Sequence, residues 1–325
     1  MIKKLLGIIG IFLLLFSSTA IGERAYRFHI VFRDKNESQY SLNAPLRFLS
    51  QKALNRRAHQ HLSLDSTDLP VSVFYLNKVR KCGAVVAVVS KWNNSALVTL
   101  IDSANISRVL NLPFVKSAKL VWKGNLTPKL IKPDSLNIRH HTDSAYYGQA
   151  ETQIKIHNGQ LLHQAGFTGK GMTIAVIDGG FMNANKIPLL NSIHILGTHN
   201  FVRPYLSVYD ELSHGTGVLS CMAANKPHEM VGTAPDASYW LLVSEDGYSE
   251  TPAEEDFWVA AAEFADSVGV DVINSSLGYY RFDNDSWNIS YSQLDGHYTP
   301  ISHAASMLAD KGIVLVNSAG NRGID

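Results

Sequence analysis

Residues 172–177, Met172-Thr-Ile-Ala-Val-Ile177, form an apolar run with no alternation, and the run stops on Asp178-Gly179-Gly180. A strand with one wet face alternates polar and apolar side chains; a strand without that rhythm is covered on both faces. Such a strand needs crossover helices on either side of a sheet, and the surrounding sequence has the pattern for them. Residues 154–164 read as a helix stopped by Gly166. Residues 252–268 are the clearest helix, with Trp258, Ala261, Ala262, Ala265 and Val268 on one face, and residues 300–310 are another. Further apolar runs lie at 193–202, 239–243, 270–273 and 313–316. Strands and helices in alternation predict an α/β fold with a doubly wound, mostly parallel sheet.

Upstream of this region the rhythm differs. Residues 26–32 alternate at period two, as a strand does. Asn43 and Pro45 open a helical spacing through Leu46, Leu49 and Ala53 to Arg56-Arg57, and residues 71–75 read as a second strand. Residues 84–89 and 96–101 flank Asn93-Asn94-Ser95 as a hairpin; residues 103–110 read as a short helix and 114–121 as a last strand. This is a small α+β domain of about 100 residues, well within the ordinary domain range. From Trp122 to about Gly148 the apolar pattern lapses into a polar, proline-bearing linker. Within it His140-His141-Thr-Asp143 lacks the further ligand spacing that a metal site needs.

The first residues carry a targeting signal. Lys3-Lys4 precede an apolar run from Leu5 to Phe16 and a small-residue exit, Ser17-Ser18-Thr19-Ala20. About 12 apolar residues fall well short of the ~20 that span a bilayer, so the segment reads as a secretory signal peptide and the chain as secreted or periplasmic, with no membrane span after signal removal. A formal net charge of +1 over 325 residues gives no basic field for nucleic acid. Two cysteines, Cys82 and Cys221, cannot make a disulfide-stapled scaffold. No Gly-x-Gly-x-x-Gly follows a strand, which argues against a nucleotide-binding domain.

In open parallel sheets, reactive groups collect beyond the carboxyl ends of the strands. The run at 172–177 ends on Asp178; that at 270–273 ends on Asn274-Ser275-Ser276-Leu277-Gly278; that at 313–316 ends on Asn317-Ser318-Ala319-Gly320-Asn321. Between the first two lies Ser213-His214-Gly215-Thr216-Gly217, followed by small apolar residues. A carboxylate at a strand end and a histidine at a helix start are two members of a nucleophile-activating set, the carboxylate orienting the imidazole and the imidazole taking a proton from a hydroxyl. Each motif alone is ordinary turn chemistry; the ordered set is far more specific.

Taken in order, Ala175-Val-Ile-Asp178-Gly-Gly, His214-Gly-Thr-Gly-Val218, Val272-Ile-Asn-Ser-Ser-Leu-Gly278 and Asn317-Ser-Ala-Gly-Asn321 resemble the successive blocks of a subtilisin-like serine protease. The resemblance runs from about Gln153 onward. It implies that Asp178 orients the histidine, that His214 is general base and then acid, and that Asn321 donates to the oxyanion. Ser276, Leu277 and Gly278 would line the cleft for an extended peptide. Residues 23–121 resemble the ferredoxin-like propeptide of many secreted subtilases. The implied organisation is a signal peptide at 1–22, the propeptide-like domain at 23–121, a linker at 122–150 and part of a catalytic domain at 151–325. The expected partners are a peptide or protein substrate and the chain's own propeptide. No cofactor is expected. Calcium is common in the family, and whether Asp210, Glu211 or Asp236 binds it stays open.

Two departures stand out. The position three residues after His214, often a second histidine in the family, is Gly217, and no Gly-Thr-Ser nucleophile block occurs in the 325 residues. Ser276 and Ser318 match blocks with other roles. The expectation is therefore the first part of a secreted serine endopeptidase, inert without its serine. The rival from another class is a non-enzymatic inhibitor or folding partner acting through the propeptide-like domain.

Overall fold

The computed structural model describes residues 24–126 and 144–321. The segment expected to be a signal peptide and the His140-His141-Thr-Asp143 patch lie outside the described residues. The first domain runs β1 (Arg24–Phe32), α1 (Gln51–His59), α2 (Val73–Lys81), β2 (Val85–Ser90), β3 (Ser95–Leu100), α3 (Ile106–Leu110) and β4 (Val115–Asn125). Its sheet has the order β2-β3-β1-β4 and every pairing is antiparallel. The expected hairpin is present, with Asn94 turning at a left-handed φ of 47°. Residues 71–75, expected as a strand, instead lead into α2. Four apolar residues and one serine fit either period; the Ser72 side chain accepts from the Tyr75 amide and caps a helix whose Tyr75, Leu76 and Val79 are buried. Strand β4 also runs on to Asn125, past the point where the apolar pattern lapses.

This sheet has two dry faces. Phe28, Ile30, Phe32, Val98 and Leu100 pack with Tyr75 and Val79 into the domain's own core. Ala25, Leu97, Val121 and Trp122 point the other way, into the core of the second domain. A register shift between Arg27 and Phe28, opposite Trp122 and Leu120, lets Val121 and Trp122 both be buried.

The second domain continues with α4 (Glu151–Ile156), α5 (Gly159–Gln164), β5 (Thr173–Asp178), β6 (His194–Asn200), α6 (His214–Ala223), β7 (Asn225–Lys226), β8 (Met230–Val231), β9 (Ser238–Val243), α7 (Ala253–Val268), β10 (Val272–Ser275), α8 (Pro300–Asp310) and β11 (Val314–Asn317). The single helix expected over 154–164 is broken into α4 and α5 by Asn158, whose φ of 55° is left-handed. The large sheet has the order β11-β10-β5-β9-β6, all parallel. Strand β5 lies at its centre with all six residues buried, as its unbroken apolar run requires.

Helix α7 lies between the two sheets. One amphipathic face was expected, yet 13 of its 16 residues are buried, among them Glu254, Glu255, Asp256, Glu263 and Asp266. Buried charge is tolerated only when paired, and the first domain supplies most of the partners. The Glu263 carboxylate accepts from Ser90 Oγ (2.6 Å), Lys91 N (2.8 Å) and Trp92 N (3.0 Å). Asp266 binds Arg56 (2.6 Å), Arg57 (2.9 Å) and Lys91 (2.9 Å). Asp256 receives His29 Nδ1 at 2.6 Å. Helix α1 extends the contact: Ser50 N donates to Ser267 O, and Arg56 Nε to Lys311 O.

Candidate active site

Asp178 is the last residue of β5, the middle strand, and is fully buried. His214 is the first residue of α6. Its Nδ1 lies 2.9 Å from Asp178 Oδ1 and 3.0 Å from Oδ2. The Gly179 amide donates to the same Oδ1 at 2.8 Å. The carboxylate thus grips one edge of the imidazole, while the His214 side chain stays 58% exposed and open to a reactant. Burial pushes the Asp178 carboxyl above its ordinary value, and the hydrogen bond and charge of His214, then the Gly179 N–H, pull it back.

Close backbone approach sets this geometry. A Cβ on Gly215 would lie 2.5 Å from Gly180 O and 2.9 Å from Asp178 Cβ. Only glycine lets the first turn of α6 come this near the end of β5. Gly217, the first of the two departures from the family pattern, meets open space.

Because β10 and β9 flank β5, the loops that follow them wall the space beside His214. Of the three residues expected to line the cleft, Ser276 is half-buried, Gly278 is exposed, and the Leu277 side chain is 7% exposed within the core. The Leu277 side chain therefore packs into the interior, and its carbonyl accepts from Ser318 Oγ at 3.4 Å. Asn321 is exposed beyond β11 and makes no hydrogen bond to Asp178 or His214. Sequence reasoning did not single out Glu245 and Glu250. They follow β9, and the strand-end rule that points to Asp178 points to them as well.

Among the described residues no cluster of three or more His, Cys, Asp or Glu is placed to hold a metal ion. Of the three acids left open for calcium, Glu211 is tied to Asn200 and Arg203, and Asp236 accepts from Asn225 at 3.3 Å. No helix among the described residues is long and apolar enough to cross a membrane.

A central parallel strand delivering an aspartate to a helix-borne histidine, beneath an antiparallel βαββαβ domain seated on α7, is the architecture of the subtilisin-like peptidases. Comparison with known proteins agrees. Residues 27–135 match the family pattern described as "Peptidase S8 propeptide domain, Bacteroidota", and residues 169–325 match "Subtilase family". The chain belongs to the subtilase family, with its propeptide domain ahead of the peptidase segment. It is 32% identical over 200 residues to subtilisin E of Bacillus subtilis, which covers 60% of this chain and 45% of that protein. It is 29% identical over 178 residues to the serine protease AprX of the same organism, covering 52% of this chain and 36% of that one. The chain thus spans less than half the length of these curated relatives. Among solved structures, the epidermin leader peptide processing serine protease of Staphylococcus aureus aligns with a TM-score of 0.55 at 17% identity, covering 93% of this chain and 61% of that one. Fervidolysin of Fervidobacterium pennivorans, a keratinolytic enzyme related to subtilisin, aligns with a TM-score of 0.52 at 18% identity, covering 94% and 41%. At these identities the structural likeness concerns the fold.

Proposed function

We propose that this chain is the proenzyme portion of a secreted serine endopeptidase of subtilisin type, which hydrolyses peptide bonds through an acyl-enzyme. The observation that carries the reading is the Asp178–His214 pair, a buried carboxylate gripping a solvent-open imidazole at the carboxyl end of the central strand. In this reading His214 takes the proton of a serine as the serine attacks the carbonyl carbon. It then returns that proton to the leaving amine as the peptide C–N bond breaks. Asp178 fixes the tautomer and stabilises the imidazolium. Asn321 donates its side-chain amide to the oxyanion, and the backbone of Ser276 to Gly278 pairs with an extended substrate. The first domain acts as an inhibitory and folding-assisting propeptide, which accords with its match to a propeptide family and its polar seating on α7. Processing falls within the linker at 122–150.

The test is covalent labelling. The complete secreted product, freed of its propeptide, is treated with a fluorophosphonate probe and assayed on unstructured protein. Labelling and cleavage that both disappear in His214→Ala support the proposal. A processed, folded product that neither labels nor cleaves refutes it and favours the non-enzymatic reading, in which the propeptide-like domain is the active part.

A further inference from the structure

Two carboxylates beside the Asp178–His214 pair have no part in the chemistry above. Glu245 and Glu250 lie on the loop between β9 and α7. Glu245 faces the residue next to Asp178: a Cβ on Gly179 would sit 2.5 Å from its Oε2. Glu250 is laced to the opposite wall, its N–H donating to Asp283 Oδ2 (3.0 Å) while Asp283 N donates to Glu250 O (2.9 Å). The acid-bearing loop, which follows β9, therefore meets the loops that follow β5 and β10.

Both side chains are half-buried, and neither carboxylate hydrogen-bonds or ion-pairs with any described residue. The nearby cation is already taken, because Arg203 is bound to Glu211 and Asp246. Glu254, deeper in, is satisfied by the amides of Asp246 (2.7 Å) and Thr251 (2.9 Å). Behind the pair lies Tyr279, 7% exposed. Its hydroxyl and that of Ser244 make no hydrogen bond of ordinary geometry. Burial, and then the charges of Glu254, Glu245 and Glu250, raise the Tyr279 phenol far above its ordinary value. Burial also raises Glu250 to about 7, with Glu245 and Asp283 adding to the rise, and burial and then Asp178 raise Glu245, with only His214 opposing.

Buried like charges without a counter-ion are costly, and a site that keeps them is complementary to a cation. No three acids converge on one point among the described residues, as a carboxylate cage for a metal ion would require. A guanidinium or ammonium on a flexible stem needs no such convergence, and it can leave its aliphatic part against Tyr279. We propose that Glu245 and Glu250, backed by Tyr279, form a substrate subsite that takes a positively charged side chain, arginine or lysine, of the peptide in the cleft. This rests on the protease reading above and adds a substrate class to it.

The experiment uses the complete, propeptide-processed product. Matched peptides carry arginine or its neutral isostere citrulline at each position in turn. At one position arginine should exceed citrulline by about tenfold or more in kcat/KM, the scale of one charge-assisted contact. Glu245→Gln with Glu250→Gln should bring that ratio to within about twofold, and the single Glu250→Gln should lower it in part. An arginine-to-citrulline ratio near one at every position, or a ratio unmoved by the variants, overturns the subsite while leaving the protease standing. If no peptide is cleaved, the protease reading fails. Fluorescence anisotropy of the labelled arginine and citrulline peptides then decides the subsite alone: tighter binding of arginine supports it, and equal binding overturns it.

Discussion

Asp266 on α7 is the most heavily paired group between the two domains, and Asp266→Asn tests what that pairing contributes. The side chain is fully buried and holds Arg56 at 2.6 Å, Arg57 at 2.9 Å and Lys91 at 2.9 Å. Burial alone would raise its carboxyl, but Lys91, then Arg57 and Arg56, bring it down to about 2. Against the ordinary 3.8, that difference corresponds to about 2 to 3 kcal/mol between the charged and neutral forms. Removing one partner of a buried ion pair costs about 3 to 5 kcal/mol, because the remaining charge stays buried. Some compensation remains here, since Arg57 keeps Asp68 at 2.9 Å and Lys91 keeps Ser267 Oγ at 3.1 Å. We therefore expect a loss of about 3 kcal/mol at pH 7. Urea unfolding followed by tryptophan fluorescence would measure it, since Trp92 and Trp122 lie buried where the domains meet. The depressed value also fixes the pH dependence. The charged form contributes its stability above the unfolded value near 4, and loses it as pH falls toward 2. The gap between the native chain and Asp266→Asn should thus narrow as pH is lowered from about 5 toward 3. Urea curves that differ by less than about 0.5 kcal/mol at neutral pH, or a gap that does not narrow in acid, would refute the reasoning.

The interface should also loosen toward alkaline pH. Burial pushes Glu255 up to about 7, and although burial opposes it, the carboxylate of Asp256 raises His29. Both groups bind a proton more tightly in the folded chain, so their stability is present in mild acid. It should fall as pH climbs through about 7, and His29→Phe with Glu255→Gln should flatten that limb of a thermal-melting series. In the active product, His214→Ala or Asp178→Asn should lower kcat by about 10⁴ or more in a peptide-hydrolysis assay. Asn321→Ala should cost about 10²–10³ in kcat with KM little changed, a scale measured in a subtilisin rather than worked out from this structure. Gly215→Ala, with its Cβ 2.5 Å from Gly180 O, should destabilise the fold by about 1 to 3 kcal/mol and weaken hydrolysis by displacing His214, with kcat falling more than KM rises.

The sequence by itself determined the elements and the chemistry at their ends. A short apolar run without alternation, bounded by Gly171 and Gly179-Gly180, fits a central strand with Asp178 at its carboxyl end, and small residues after His214 allowed a tightly packed helix. These are local patterns, readable because side-chain period follows backbone geometry. Where local signals were balanced, the reading missed: the mostly apolar stretch at 71–75 suited a strand as well as a helix until Ser72 capped α2, and one left-handed asparagine divided 154–164. Tertiary structure alone decided which charges meet. Glu263 and Asp266 read as the wet face of an amphipathic helix, yet their partners lie about 170 to 210 residues earlier in the chain. Only the docking of a second sheet makes that face an interior. The same holds for Glu245 and Glu250, ordinary loop acids until the strand order sets their loop against Gly179 and Asp283. Pairing energies of this kind depend on distance and burial, and neither is carried by the residues one at a time.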